Sequence, residues 1–173
     1  MFKNKELWLA GFCYTIFTLL FYLPSLPSFS TALIGPPEDN MQFYWFIWHG
    51  VKAFWDPAVS FMHTHFIYYP EGAGLFYANY YYYGVAVAIV LNFFMPLVAV
   101  FNFLVLHAYV VGGLGAFLLV KYLTGDFKAA LVGGFIFAFN PSHVAHALHH
   151  VTIASIQFIP FFVLCFWSYL HRG

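Results

Sequence analysis

Residues 77–95 read YANYYYYGVAVAIVLNFFM, and Pro96 follows. Whether this stretch crosses a bilayer decides how the chain is threaded. It opens on Asn79 and four consecutive tyrosines, Tyr80 to Tyr83. Phenols favour the headgroup zone over hydrocarbon. If the stretch crosses, the chain has five spans, and Lys121, Lys128 and Arg172 fall on the same side as the acid-rich loop before it. If it lies in the interface, there are four spans. Lys3, Lys5, Lys121, Lys128 and Arg172 then share one side, with Lys52 alone opposite. The bias of basic residues toward one face favours the second threading.

The composition leaves only a membrane setting open. Of 173 residues, 63% are hydrophobic and 7% charged. Soluble domains carry about 45–50% and about 25%. Six basic and six acidic side chains cannot clothe a soluble surface of this size, and the mean hydropathy is +0.79. Disorder is excluded by the same numbers. Nucleic-acid binding is excluded by a formal net charge of zero and the lack of a basic patch.

The spans follow from length. Leu7 to Phe29 exceeds the ~20 residues that cross a bilayer core. It is also too long for a cleaved signal's core of about 7–15 residues. Pro24 and Pro27 kink or end it. Residues 97–123 form a second strong span. Its Gly112, Gly113 and Gly115 allow close helix approach. Ala129 to Asn140 is a third, ended or bent by Pro141, and Ile153 to Leu170 is the last. The expected fold is an all-α integral membrane protein. It has about four transmembrane helices, with interfacial helices in a large first external loop. The chain reads as one module, 1–173: a first span at 1–33, the external loop at 34–96, and the remaining spans at 97–173. Within the loop, Met41 to Trp55 carries three tryptophans and reads as a helix lying in the interface. Cys13 and Cys165 sit in apolar runs and read as free, buried thiols.

Two clusters could carry chemistry. Glu38-Asp39-Asn40 follows the first span after two prolines. It is a solvated loop start, or a general base or hard-cation ligand beside a lipid phosphate. The second cluster is His143, His146, His149 and His150. If helical, 143, 146 and 150 share a face and 149 is displaced from it. Such histidines bind metal, contact phosphate or substrate, or simply supply interfacial polarity. His63 and His65 alternate in an extended-looking stretch and read as a solvated loop. His107, Asn102 and Gln157 read as satisfied interhelical hydrogen-bonding groups.

The order of these elements resembles the N-terminal part of polytopic GT-C-type glycosyltransferase-like membrane proteins of bacteria and archaea. The matching residues are Gly35-Pro36-Pro37-Glu38-Asp39-Asn40-Met41-Gln42, then Tyr69-Pro70-Glu71-Gly72. The turn at Lys121-Tyr122-Leu123-Thr124-Gly125 comes next, then Phe137-Ala138-Phe139-Asn140-Pro141. His146 and His150 follow, ahead of Gln157 and Pro160. The resemblance implies transfer of a sugar from a polyprenyl-phosphate donor to an acceptor on the extracytoplasmic face. It implies a multi-pass protein of the cytoplasmic membrane, with the N-terminus cytoplasmic. Asp39, with Glu38 beside it, takes the catalytic position. Gln42, Tyr69 and His143 become substrate contacts, and Asp39, His146 and His150 the ligands of a divalent metal ion. Membrane lipids and other membrane chains are the expected partners. The competing reading is a non-catalytic small membrane subunit packing within a larger complex. A third is a histidine-based metal or haem protein.

Overall fold

The structure is a computed structural model, and it describes residues 4–171. Lys3 and Arg172, two of the five basic residues assigned to one face, lie outside that range. The chain is mostly helical, with one two-residue strand pair. The helices are α1 (Asn4–Phe21), α2 (Asp39–Trp55), α3 (Tyr82–Leu91), α4 (Leu97–Thr124), α5 (Phe127–Ala138), α6 (Pro141–His149), α7 (Val151–Ala154) and α8 (Ile159–Leu170). A 3₁₀ segment, Leu23–Ser28, follows α1, and strands β1 (His63–Thr64) and β2 (Ala73–Gly74) pair between α2 and α3.

Local chemistry sets the helix ends. α1 gives way to the 3₁₀ turn that carries Pro24 and Pro27. Gly125 closes α4 in the left-handed conformation at φ 70°. Asp126 then caps α5 by accepting the Ala129 amide at 2.6 Å. Asn140 caps α6 by accepting the His143 amide at 2.9 Å. Pro141 occupies the first turn of α6, where its missing N–H costs nothing. Pro141 therefore starts a helix as well as following one.

Two helices are long and apolar enough to cross a membrane: Leu97–Thr124 and Val151–Leu170, the latter interrupted between α7 and α8. The decisive stretch contains only the ten residues of α3, which rise about 15 Å. That is half of a hydrocarbon core of about 30 Å.

The tyrosine run faces outward only in part. Tyr82 is 58% exposed, whereas Tyr80 and Tyr81 are buried. The Tyr80 hydroxyl meets His49 Nδ1 at 2.6 Å, Tyr81 donates to Ser155 Oγ at 3.1 Å, and Tyr83 approaches the His107 ring at 3.3 Å. Polar partners inside the fold replace the headgroups. The helix at Met41–Trp55 is also a core helix rather than one lying on a surface. Phe43, Phe46, Ile47, Gly50 and Val51 of α2 are buried. A Cβ on Gly50 would stand 2.6 Å from Val85 of α3. The two ends of α2 keep the expected exposure, with Met41 49% and Trp55 57% exposed.

α4 is the spine. Near its start, Asn102 holds the loop after the 3₁₀ turn: its amide donates to Phe29 O at 2.8 Å and Ala32 O at 2.7 Å. Its carbonyl accepts Ile34 N at 2.8 Å. Near its end, Lys121 Nζ lies 3.2 Å from Glu6 Oε2 on α1. The nineteen residue steps from one anchor to the other rise about 28 Å. The basic turn and the acid-rich loop thus lie at opposite ends of the bundle. His63 and His65 share a side of β1, with ring centroids 4.6 Å apart. Cys13 and Cys165 are free, and Cys165 is exposed rather than buried. Exposed apolar side chains line α1 and α8, among them Trp8, Phe12, Phe162 and Phe166.

Tyr14 of α1 locks α4 to α5. Its hydroxyl donates to Leu131 O at 3.0 Å. Its ring passes between Gly113 and Gly134, where a Cβ on Gly134 would coincide with the Tyr14 hydroxyl. Gly134→Ala is expected to destabilise the bundle by about 1–3 kcal/mol through overpacking. Gly74→Ala, a position open for 4 Å around, is expected to leave the melting temperature unchanged. Thermal unfolding of both variants in detergent checks this, and equal melting temperatures would contradict the lock.

Candidate functional site

Two helix ends of opposite polarity meet at one corner. The N-terminus of α2 carries Glu38 and Asp39, where partial positive charge favours carboxylates. The C-terminus of α6 carries His149 and His150. His149 Nδ1 donates to Glu38 Oε2 at 2.8 Å. His150 Nε2 lies 2.9 Å from Asp39 Oδ2. All four side chains are open to solvent, the histidines 37% exposed and the acids about 60%. His146 stands beside His150, ring centroids 5.6 Å apart.

The helical face expected for 143, 146 and 150 is not what forms the corner. α6 ends at His149, and His150 adopts a non-helical φ of −138°. That turn sends the adjacent pair, 149 and 150, to the adjacent pair 38 and 39. His149, displaced on an ideal helix, is therefore a full partner.

His143 is withdrawn from any substrate. It is 2% exposed and stacks on Tyr109 at 4.4 Å. Its Nδ1 faces Ala138 O at 2.6 Å and its Nε2 faces Ala154 O at 3.0 Å, so it braces the ends of α5 and α7. Gln42 is exposed one turn after Asp39 on α2. Tyr69 is 83% exposed in the β1–β2 connection. Among the described residues it has no hydrogen bond to the corner.

Asn40 and Gly35 were missed by sequence reasoning. Asn40 is fully buried. Its amide donates to Leu148 O at 2.9 Å and Ala147 O at 3.4 Å, and its carbonyl accepts Val151 N at 3.0 Å. Gly35, at φ 94°, rests on the same Leu148 carbonyl, which a Cβ would strike. The one signal in the sequence was position, an asparagine next to two acids and a glycine before two prolines.

Among the described residues no three His, Cys, Asp or Glu side chains gather as a metal site. Asp39 and His150 are in contact with each other. Asn102 is satisfied, though by the loop at 29–34 rather than by another helix. His107 has a partner in Tyr83, while Gln157 accepts from Ser155 but leaves its buried Nε2 without one. Larger cavities lie along the helices instead. One of about 600 Å³ sits where α1, α4 and α8 meet, beside Trp8, Gly11 and Phe161.

Comparison with protein-family models, with curated proteins and with solved structures finds no match to this chain.

Burial sets the titration of the interior groups. It lowers the pKa of His49 from 6.5, and it lowers that of His143 against the two carbonyls that raise it. It pushes Tyr80 up to about 12, with Tyr82 adding to the effect. A histidine whose folded pKa lies below its unfolded one takes up fewer protons when folded, so stability rises with pH through that window. Stability is thus expected to be level above about pH 6.5 and to fall as the pH drops below it. His49→Gln is expected to reduce that slope. Melting temperatures in detergent from pH 7.5 to 5 measure both, and a variant with the parent's slope would remove His49 as a contributor.

Proposed function

We propose that the chain is a membrane-embedded glycosyltransferase module. It would pass a sugar from a polyprenyl-phosphate donor to an acceptor hydroxyl on the extracytoplasmic face. In this reading α1, α4, α5 and the 151–170 segment cross the cytoplasmic membrane, and the N-terminus is cytoplasmic. The observation that carries the reading is the contact of Asp39 with His150, beside that of Glu38 with His149. Four titratable groups converge at the end of the bundle opposite Lys121 and Glu6.

The chemistry asked of them is a single displacement. The acceptor oxygen bonds to the anomeric carbon as the bond from that carbon to the phosphate oxygen breaks. Polyprenyl phosphate leaves with the electron pair, and the hydroxyl proton passes to Asp39. The sugar inverts and no covalent enzyme intermediate forms. His150 beside Asp39 holds the carboxylate in place, and a positioned base of this kind contributes about 10²–10⁴-fold.

A second reading, a non-catalytic subunit of a larger membrane complex, is favoured by the exposed apolar faces of α1 and α8. Transfer assays on membranes separate the two. Asp39→Ala is expected to lower sugar transfer by at least about 10²-fold. Unchanged transfer would take Asp39 out of the mechanism. Co-purification in fixed ratio with other membrane chains, with no transfer by the parent protein, would favour the subunit reading.

A further inference from the structure

The two acid–histidine contacts depend on side chains that are more than a third exposed. Exposed ion pairs of this kind hold little by themselves. Something else must bring the start of α2 onto the turn between α6 and α7. The buried carboxamide of Asn40 does so. It is the one side chain at the start of α2 that is fully buried. It uses both ends: the amide donates to Leu148 O and Ala147 O in the last turn of α6, and the carbonyl accepts the first amide of α7.

We propose that Asn40 is the positioning residue of the corner, a lock that holds Asp39 against His150 and Glu38 against His149. This rests on the transferase reading for its catalytic meaning, though not for its geometry. Asn40 touches none of the four paired side chains. It binds backbone on both sides of the α6–α7 turn, within one residue of His149 and of His150. The carbonyl it grips, Leu148 O, is also the one on which Gly35 rests. The approach to α2 and its first turn therefore converge on one backbone oxygen. An aspartate at this position keeps the acceptor for Val151 but sets a second oxygen against two carbonyls. An alanine leaves the Val151 amide and the Leu148 carbonyl unpaired in a buried place.

The lock is tested by trapping. In a Cys13→Ala/Cys165→Ala background, the pair Asp39→Cys/His150→Cys is oxidised in detergent, and the rate of disulfide formation is followed by mass. Adding Asn40→Ala or Asn40→Asp is expected to slow trapping by about tenfold, the factor for one well-formed hydrogen bond. Adding Gly134→Ala, which overpacks α5 against Tyr14 away from the corner, is expected to leave the rate unchanged at a comparable loss of melting temperature. Equal rates with and without Asn40 would overturn the proposal, and so would equal slowing by Gly134→Ala. Should Asn40→Ala not fold, the trapping rate in Asn40→Asp alone provides the readout, and a rate equal to that without the substitution would also overturn it. Slower trapping with sugar transfer undiminished in Asn40→Asp would uphold the lock and overturn the transferase reading.

Discussion

One carboxamide near the start of the central helix governs where the loop after the first helix can go. Asn102 satisfies two carbonyls and one amide of residues 29–34, and it is fully buried. In an apolar body an unpaired backbone group is costly, so a segment without secondary structure persists only where such partners exist. With Ile34 tied to α4, Gly35 arrives against Leu148 and Asn40 follows onto the same oxygen. The acids then meet the histidines. The chain of dependence runs from one buried polar residue to the next, and the exposed groups lie at its end.

The polar residues of this chain mostly serve the backbone and one another. Tyr22 donates to Tyr109, Tyr109 stacks on His143, and His143 faces carbonyls of two helix ends. The tyrosine run does the same work between α3, α2 and the α7–α8 break. Two buried nitrogens have no partner among the described residues, His49 Nε2 and Gln157 Nε2. In a fold with so few charges, neutral hydrogen-bonding groups set the register that ion pairs and alternating surface patterns set elsewhere.

Helical class was readable in the residues because it depends on runs of apolar side chains and on prolines and glycines at fixed places. Gly125 and Asp126 announce a turn, and Asn140-Pro141 announces a cap. The corner was half readable. Glu38, Asp39 and the histidines stand out as the scarce ionisable groups, but the face they share was misjudged. Ideal helical spacing selected 143, 146 and 150, whereas the helix ends at 149. An end of that kind depends on what the next turn packs against, in this case Asn40 and α2. The tyrosine run was misjudged for a related reason. A phenol satisfies its hydroxyl equally well in headgroups or against a buried histidine, and local sequence cannot tell which is near.

By itself, the sequence determined that this chain is strongly apolar and nearly without charge, because apolar content and charge are sums that no folding can alter. It determined the helix-breaking points for the same reason, since proline lacks an amide wherever it sits. Only the tertiary structure decided which polar groups face each other. Glu38 and His149 are 111 residues apart and meet at 2.8 Å. A pairing of that range depends on the summed packing of every helix between them, and no local spacing encodes it.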